Sequence, residues 1–152
     1  MIIVPVAAEK CSLINKIFFY TCTSHSIYYN YDMSKNTFFT ESQYQHELDL
    51  EINDEVLQRM YADNIDPLDE KELEFVFITD TSKKAEKLKK HLCQKYPAYT
   101  QFAVLNNGEG WALHGRTSSI QLYLPVINEW NTQLWNDGYQ FDCKFDGWVL
   151  EV

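Results

Sequence analysis

From Leu73 to Thr79 the chain alternates, with Leu73, Phe75, Phe77 and Thr79 on one side and Glu74, Val76 and Ile78 on the other. A period of two predicts a strand. Its centre, Phe75-Val76-Phe77-Ile78, is apolar on both sides, which suits an inner strand covered on at least one face. Asp80-Thr81-Ser82 supplies a helix cap. Ala85, Leu88, Leu92 and Cys93 then mark one helical stripe as far as Lys95, where Tyr96-Pro97 stops it. Tyr99 to Leu105 reads as a second strand. Asn106 to Gly110 reads as a hairpin turn, because Asn and Gly tolerate positive φ. Trp111 to Gly115 is a third strand, and Arg116 to Leu122 a connection. Pro125 fits a first helical turn. Val126, Ile127, Trp130, Leu134 and Trp135 form the next stripe, and Gly138 is expected to end it. Phe141 to Val152 is the last strand, with Phe145, Trp148 and Leu150 prominent.

The order of strands and helices is that of two split βαβ units. It predicts an α+β, ferredoxin-like sandwich: a four-stranded antiparallel sheet with two helices on one face. A further helix is expected ahead of it, from Asp54 to Asp63. Asn53 would cap it, Asp54 and Glu55 suit the positive end of its dipole, and Val56, Leu57, Met60 and Tyr61 share one face. Asn64 to Asp69, with Pro67, breaks it. Phe38 to Ile52 reads as a polar, mixed stretch. Residues 1–52 are thus an N-terminal extension and 53–152 the domain. Residues 1–32 carry four charges and three clustered rings (Tyr28, Tyr29, Tyr31), followed by Met33-Ser34-Lys35-Asn36, which reads like a bacterial start. Either the first residues come from an upstream start codon, or Ile14 to Tyr20 form a strand or short helix packed on the domain.

Composition narrows the function. Hydrophobic residues make up 45% and charged residues 23%, so a wholly disordered chain is excluded. Aromatics at 15% leave rings to spare for a contact surface. The net charge of -9 repels phosphate backbones, so a basic protein surface is the expected partner and direct nucleic-acid binding is not. No apolar run approaches the ~20 residues of a membrane helix. The N-terminus lacks the basic start of a signal peptide. Cys11, Cys22, Cys93 and Cys143 show no zinc spacing and read as reduced thiols of a cytoplasmic protein.

Chemistry-bearing motifs are sparse. There is no GxSxG, Walker loop, HExxH or dinucleotide fingerprint, and no cofactor or metal is implied. Asn107-Gly108-Glu109-Gly110 joins two strands, whereas a phosphate cradle opens a helix. His91 lies in a lysine-rich helix and is expected to be solvated. His114 suits either a general base, with Arg116 or Asp146, or a satisfied sheet-edge histidine. Cys143 suits packing in its strand rather than attack. The helix Lys83 to Lys90 is basic but offers no interleaved aromatics for stacking on bases, so it reads as a solvated face. The acidic signal is broader: eleven carboxylates fall between Glu41 and Glu72, against Arg59 and Lys71. Asp54, Glu55, Asp63, Asp66 and Asp69, with Tyr61 as an aromatic anchor, are the candidate partner-binding residues.

Glu74-Phe75-Val76-Phe77, the helix with Lys84-Ala85-Glu86-Lys87-Leu88, Gly110-Trp111-Ala112-Leu113 and Phe145-Asp146-Gly147-Trp148 together resemble the family of regulators of ribonuclease E activity B (RraB). The resemblance covers residues 53–152. Gly110, Trp111, Asp146, Gly147 and Trp148 are its most specific positions. Where the family's lead-in helix often ends in Gly-Asp-Asp, this chain has Ala62-Asp63-Asn64. The resemblance implies a small ferredoxin-like protein that binds a ribonuclease, or a basic segment of one, and modulates RNA decay as a non-enzymatic inhibitor. A copy of such a domain also suits an immunity protein against a toxin nuclease. Gly147 could simply permit a bulge, with Trp148 in the core.

If Phe77 is a core residue of the central strand, Phe77→Ala will lower unfolding free energy by about 3–5 kcal/mol in urea titrations. A loss below about 1 kcal/mol would place it at the surface.

Overall fold

The computed structural model describes residues 4–5 and 36–150. Ile14 to Tyr20, Cys11 and Cys22 lie outside these residues. Strand β1 is Val4–Pro5, and helices α1 and α2 are Glu41–His46 and Glu51–Ala62. A two-residue strand β2, Glu70–Lys71, precedes β3, Glu74–Thr79, and α3, Ser82–Lys95. Strands β4 and β5 are Thr100–Asn106 and Trp111–Arg116, followed by β6, Ile120–Gln121. Helix α4, Leu124–Gln140, and strand β7, Lys144–Val149, complete the order.

The four long strands form an antiparallel sheet in the order β7-β3-β5-β4, with β1 added on the β7 edge. This is the order that two split βαβ units require. Strand β3 is central, as its apolar pattern predicts. Phe75 and Phe77 are buried, while Val76 and Ile78 on the opposite face are partly exposed. Helix α3 packs on β3, β4 and β5, and α4 lies between α3 and α2. Ala85, Leu88 and Leu92 of α3 and Ile127, Trp130 and Leu134 of α4 meet Phe75, Phe77, Leu113, Phe145 and Trp148 in one core. Trp130 sits edge-on to Phe75, Phe145 and Trp148, with ring centroids 6.2–6.5 Å apart. Burying such a side chain stabilises by roughly 1.5–3 kcal/mol.

Several local expectations need correction. Asn53 does not cap α2. The helix starts two residues earlier, and Asn53 turns inward as a fully buried hub. Its Oδ1 accepts from Trp148 Nε1 at 3.2 Å, and its Nδ2 donates to Asn128 and Asn131 at 2.8 and 3.1 Å. One amide so ties α2, α4 and β7 together with its own polar groups satisfied. Gly138 does not end α4. A Cβ there would stand 2.3 Å from the Cys143 carbonyl oxygen and 2.8 Å from the Phe77 ring, so glycine serves close packing inside the helix. The stretch Phe38 to Ile52 contains α1, which is closed by a Thr40–Gln43 capping box. The connection Arg116 to Leu122 contains β6, which pairs with β2. His114 is not at a sheet edge, since β5 lies between β3 and β4. Cys143 is buried but just precedes its strand, β7.

The turn from α4 into β7 carries Asp142 at φ 56°, in the left-handed region that Asp tolerates better than most residues. Its carboxylate accepts the backbone N–H groups of Thr37, Phe38 and Phe39 at 3.0, 3.0 and 2.6 Å. Lys84 Nζ reaches the same carboxylate at 2.6 Å. Phe39 is thereby held in a buried socket, edge-on to Trp135 at 4.6 Å and Tyr139 at 5.5 Å. Trp135 Nε1 donates to the Tyr44 carbonyl at 3.0 Å, and Lys144 pairs with Glu47 at 2.5 Å. Residues 36–47 are thus a strap bound to α4 and β7.

Burial opposes ionisation of Asp142, but the Lys84 ammonium and the Phe39 and Thr37 amides outweigh it and hold the carboxyl below the usual range. A depressed folded-state pKa contributes stability above the unfolded value of about 3.9 and loses it as pH falls through the folded value. Asp142→Ala should cost about 2–4 kcal/mol at neutral pH. Urea titrations from pH 7 down to the acid limb should show the gap to wild type closing only below about pH 4.

Candidate protein-binding face

The acidic residues predicted for partner binding come together around one helix and its exit. Asp54 and Glu55 are exposed on α2. Asp63 caps its C-terminus, with its N–H bonded to the Arg59 and Met60 carbonyls. Asn64 at φ 66° turns the chain. Asp66 accepts the Leu68 N–H at 2.8 Å, and Asp69, partly buried, gives its carbonyl to the Leu122 N–H at 3.1 Å. That last bond and the β2–β6 pair lay the exit loop beside the start of α4. Between the first turns of α2 and α4 lies a groove of about 470 Å³, lined by Leu50, Glu51, Asp54, Glu55, Leu124 and Asn128.

Tyr61 is not the exposed anchor expected. It is partly buried against the core and donates its hydroxyl to the Leu122 carbonyl. Burial first, then the negative charges of Asp54 and Asp66, push its phenol above the ordinary value. The exposed apolar side chains here are instead Leu68, 70% exposed, and Tyr123, 50% exposed. Sequence reasoning missed them, together with Glu51, Leu50, Leu124 and Asn128. Only Glu51 carried a signal, as one of the eleven acidic residues.

The family-motif residues shape the sheet. A Cβ on Gly110 would stand 2.5 Å from the Thr79 carbonyl oxygen, so glycine permits that close approach. Trp111 is half-buried beside Thr79, whereas Trp148 is buried and pairs with Phe75, at the opposite end and side of β3. The two tryptophans are not brought together. Gly147 has φ 144°, and the β3–β7 register shifts between Val76 and Phe77. Phe77 pairs with Phe145 and Val76 with Gly147, which leaves Asp146 as the extra, exposed residue of a bulge.

His114 lies on the sheet face opposite the helices, in a groove of about 210 Å³ with Glu74, Val76, Asp146, Gly147, Trp148 and Val149. Glu74 is engaged by Arg116, and among the described residues no Ser, Thr or Cys lines this groove. Cys143 lies in the core, where burial pushes its thiol up to about 12, so it stays protonated. His91 is not simply solvated. Its Nε2 lies 3.1 Å from the buried Asp137, which also takes Lys95 Nζ at 2.7 Å and the Tyr96 hydroxyl at 2.8 Å. On α3, Lys83, Lys87 and Lys90 form an exposed stripe opposite Ala85, Leu88 and Leu92. Among the described residues no three His, Cys, Asp or Glu side chains gather as a metal set, and no helix is long and apolar enough to cross a membrane.

A family model described as regulator of ribonuclease activity B matches residues 50–149. The chain belongs to this family. RraB proteins are regulators rather than enzymes, and the chain's broad function is regulation of ribonuclease activity. The matched span opens at Leu50, at the N-cap of α2, so the whole Asp142-bound strap precedes it. No curated protein sequence matches the chain.

Gly147→Ala should cost about 1–3 kcal/mol in urea titrations, because an L side chain is strained at that φ. Asp146→Ala, at the exposed neighbouring position, should stay within about 0.5 kcal/mol of wild type.

Proposed function

We propose that this cytoplasmic RraB-family protein regulates a ribonuclease by binding it, or a basic segment of it, without catalysis and without direct contact with RNA. The face formed by α2 and its exit loop is the docking surface. The observation that carries this reading is its composition and shape. Asp54 and Glu55 line the groove beside the start of α4, Asp63 and Asp66 stand exposed at the other end of α2 and in its exit loop, and Leu68 and Tyr123 offer exposed apolar area. A ribonuclease must carry basic surface to hold its substrate, and an acidic protein can occupy such a surface with electrostatic steering alone. The carboxylates then set the encounter rate, while Tyr123 and Leu68 govern dissociation.

The test begins with a ribonuclease captured from the native host and proceeds to association kinetics at two salt concentrations. Asn and Gln replacements at Asp54, Glu55, Asp63, Asp66 and Asp69 keep the local acceptors, such as the Asp66 oxygen that holds the Leu68 amide. They should slow association by about tenfold and flatten its salt dependence, with little change in dissociation. Tyr123→Ala should chiefly speed dissociation. Unchanged association rate and salt slope in the neutralised variant would remove this face from the mechanism. A toxin nuclease as the captured partner would assign the same surface to an immunity role.

A further inference from the structure

The bulge in β7 builds a second feature, on the sheet face away from the helices. Pairing places Gly147, Val76 and His114 side by side across three strands, and Val149, Glu74 and Arg116 in the next row. The ejected Asp146 stands at the rim of the groove they form. Val76 and Val149 give it an apolar floor, while Asp146, Glu74 and His114 give it polar walls.

We propose that this groove is a receptor for one arginine side chain presented by a protein partner. The proposal rests on the reading that the partner is a basic protein, and it adds a second point of attachment on a different face. Size is the first reason. The volume of about 210 Å³ falls below the ~300–1,000 Å³ typical of sites for whole small molecules, and it suits a single long side chain. Charge is the second. Glu74 already shows the preference, since its Oε1 takes Arg116 Nη2 at 2.5 Å. Asp146, by contrast, is exposed, makes no ion pair among the described residues and is the open carboxylate of the groove. Phosphates and other anions are repelled by the Asp146 carboxylate. Shape is the third. A guanidinium is flat, weakly hydrated and forked, so it can lie against an imidazole while pairing with a carboxylate, which a lysine ammonium does less well. Its aliphatic stem would cover Val76 and Val149.

The test is an NMR titration of the full chain with N-acetyl-arginine amide, following the His114 ring and the Val76 and Val149 methyls. Saturable shifts at these groups are expected. The neutral isostere N-acetyl-citrulline amide and the variant Asp146→Asn should each weaken binding by about tenfold, the loss of one charge-assisted pair. Glu86→Gln, an exposed position of α3 on the other side of the sheet, should leave the titration unchanged. No shift at a few tens of millimolar, or equal binding of citrulline amide, or an unaffected Asp146→Asn variant, would overturn the proposal. The titration contains no nuclease, so its failure removes the groove and leaves the acidic face standing. Failed nuclease capture with an intact titration does the reverse.

Discussion

One inserted residue in β7 governs both faces of the sheet. Side chains alternate along a strand, so Phe145 and Trp148, three positions apart, would ordinarily point to opposite faces. Both are buried on the helix side. The bulge at Asp146 makes this possible by resetting the alternation between them, and Gly147 supplies the φ of 144° that the reset demands. Trp148 then meets Trp130 and the Asn53 amide, which docks α2. The position of the acidic helix therefore follows from a local irregularity on the far side of the core.

The parts of the fold that were legible in the sequence share a cause: their signals are local. Strand β3 announces itself by alternation and α3 by its Thr81 cap and leucine stripe, and both were bounded to within a residue or two. The misreadings share a cause as well. Asn53 has the chemistry of a cap and serves as a core hub, because Trp148, ninety-five positions away, needs an acceptor. Gly138 has the chemistry of a helix stop and serves a close crossing over Phe77 and Cys143. Helix α1 and strands β2 and β6 are too short for any period to show. Of the candidate site, the carboxylates were legible as a charge run. Tyr123 and Leu68 were not, because exposure is a property of the assembled surface. Tyr61 is a different case: its helical spacing with Val56, Leu57 and Met60 already puts it on the core-facing side, and the Leu122 carbonyl holds its hydroxyl there.

Charge in this protein is divided by role. Asp142 and Asp137 are buried and satisfied, each by a lysine and further donors, and they hold segments together. The carboxylates of α2 and its exit loop lie where their field reaches solvent, since only Arg59 and Lys71 oppose them within that stretch. A net charge of -9 is thus compatible with a tightly bonded interior.

The sheet order carries a consequence for synthesis. Strand β3 is made early, yet one of its two neighbours, β7, comes from the last stretch of the described chain. The strap at residues 37–39 waits for the same stretch, because its anchor is Asp142, more than a hundred positions later. A growing chain can form α3 and the β4–β5 hairpin as they emerge. Until β7 emerges, one edge of β3 stays open with Phe75 and Phe77 only half enclosed. The nascent protein therefore passes through a stage with a bare, apolar strand edge that chaperones or neighbouring chains can reach.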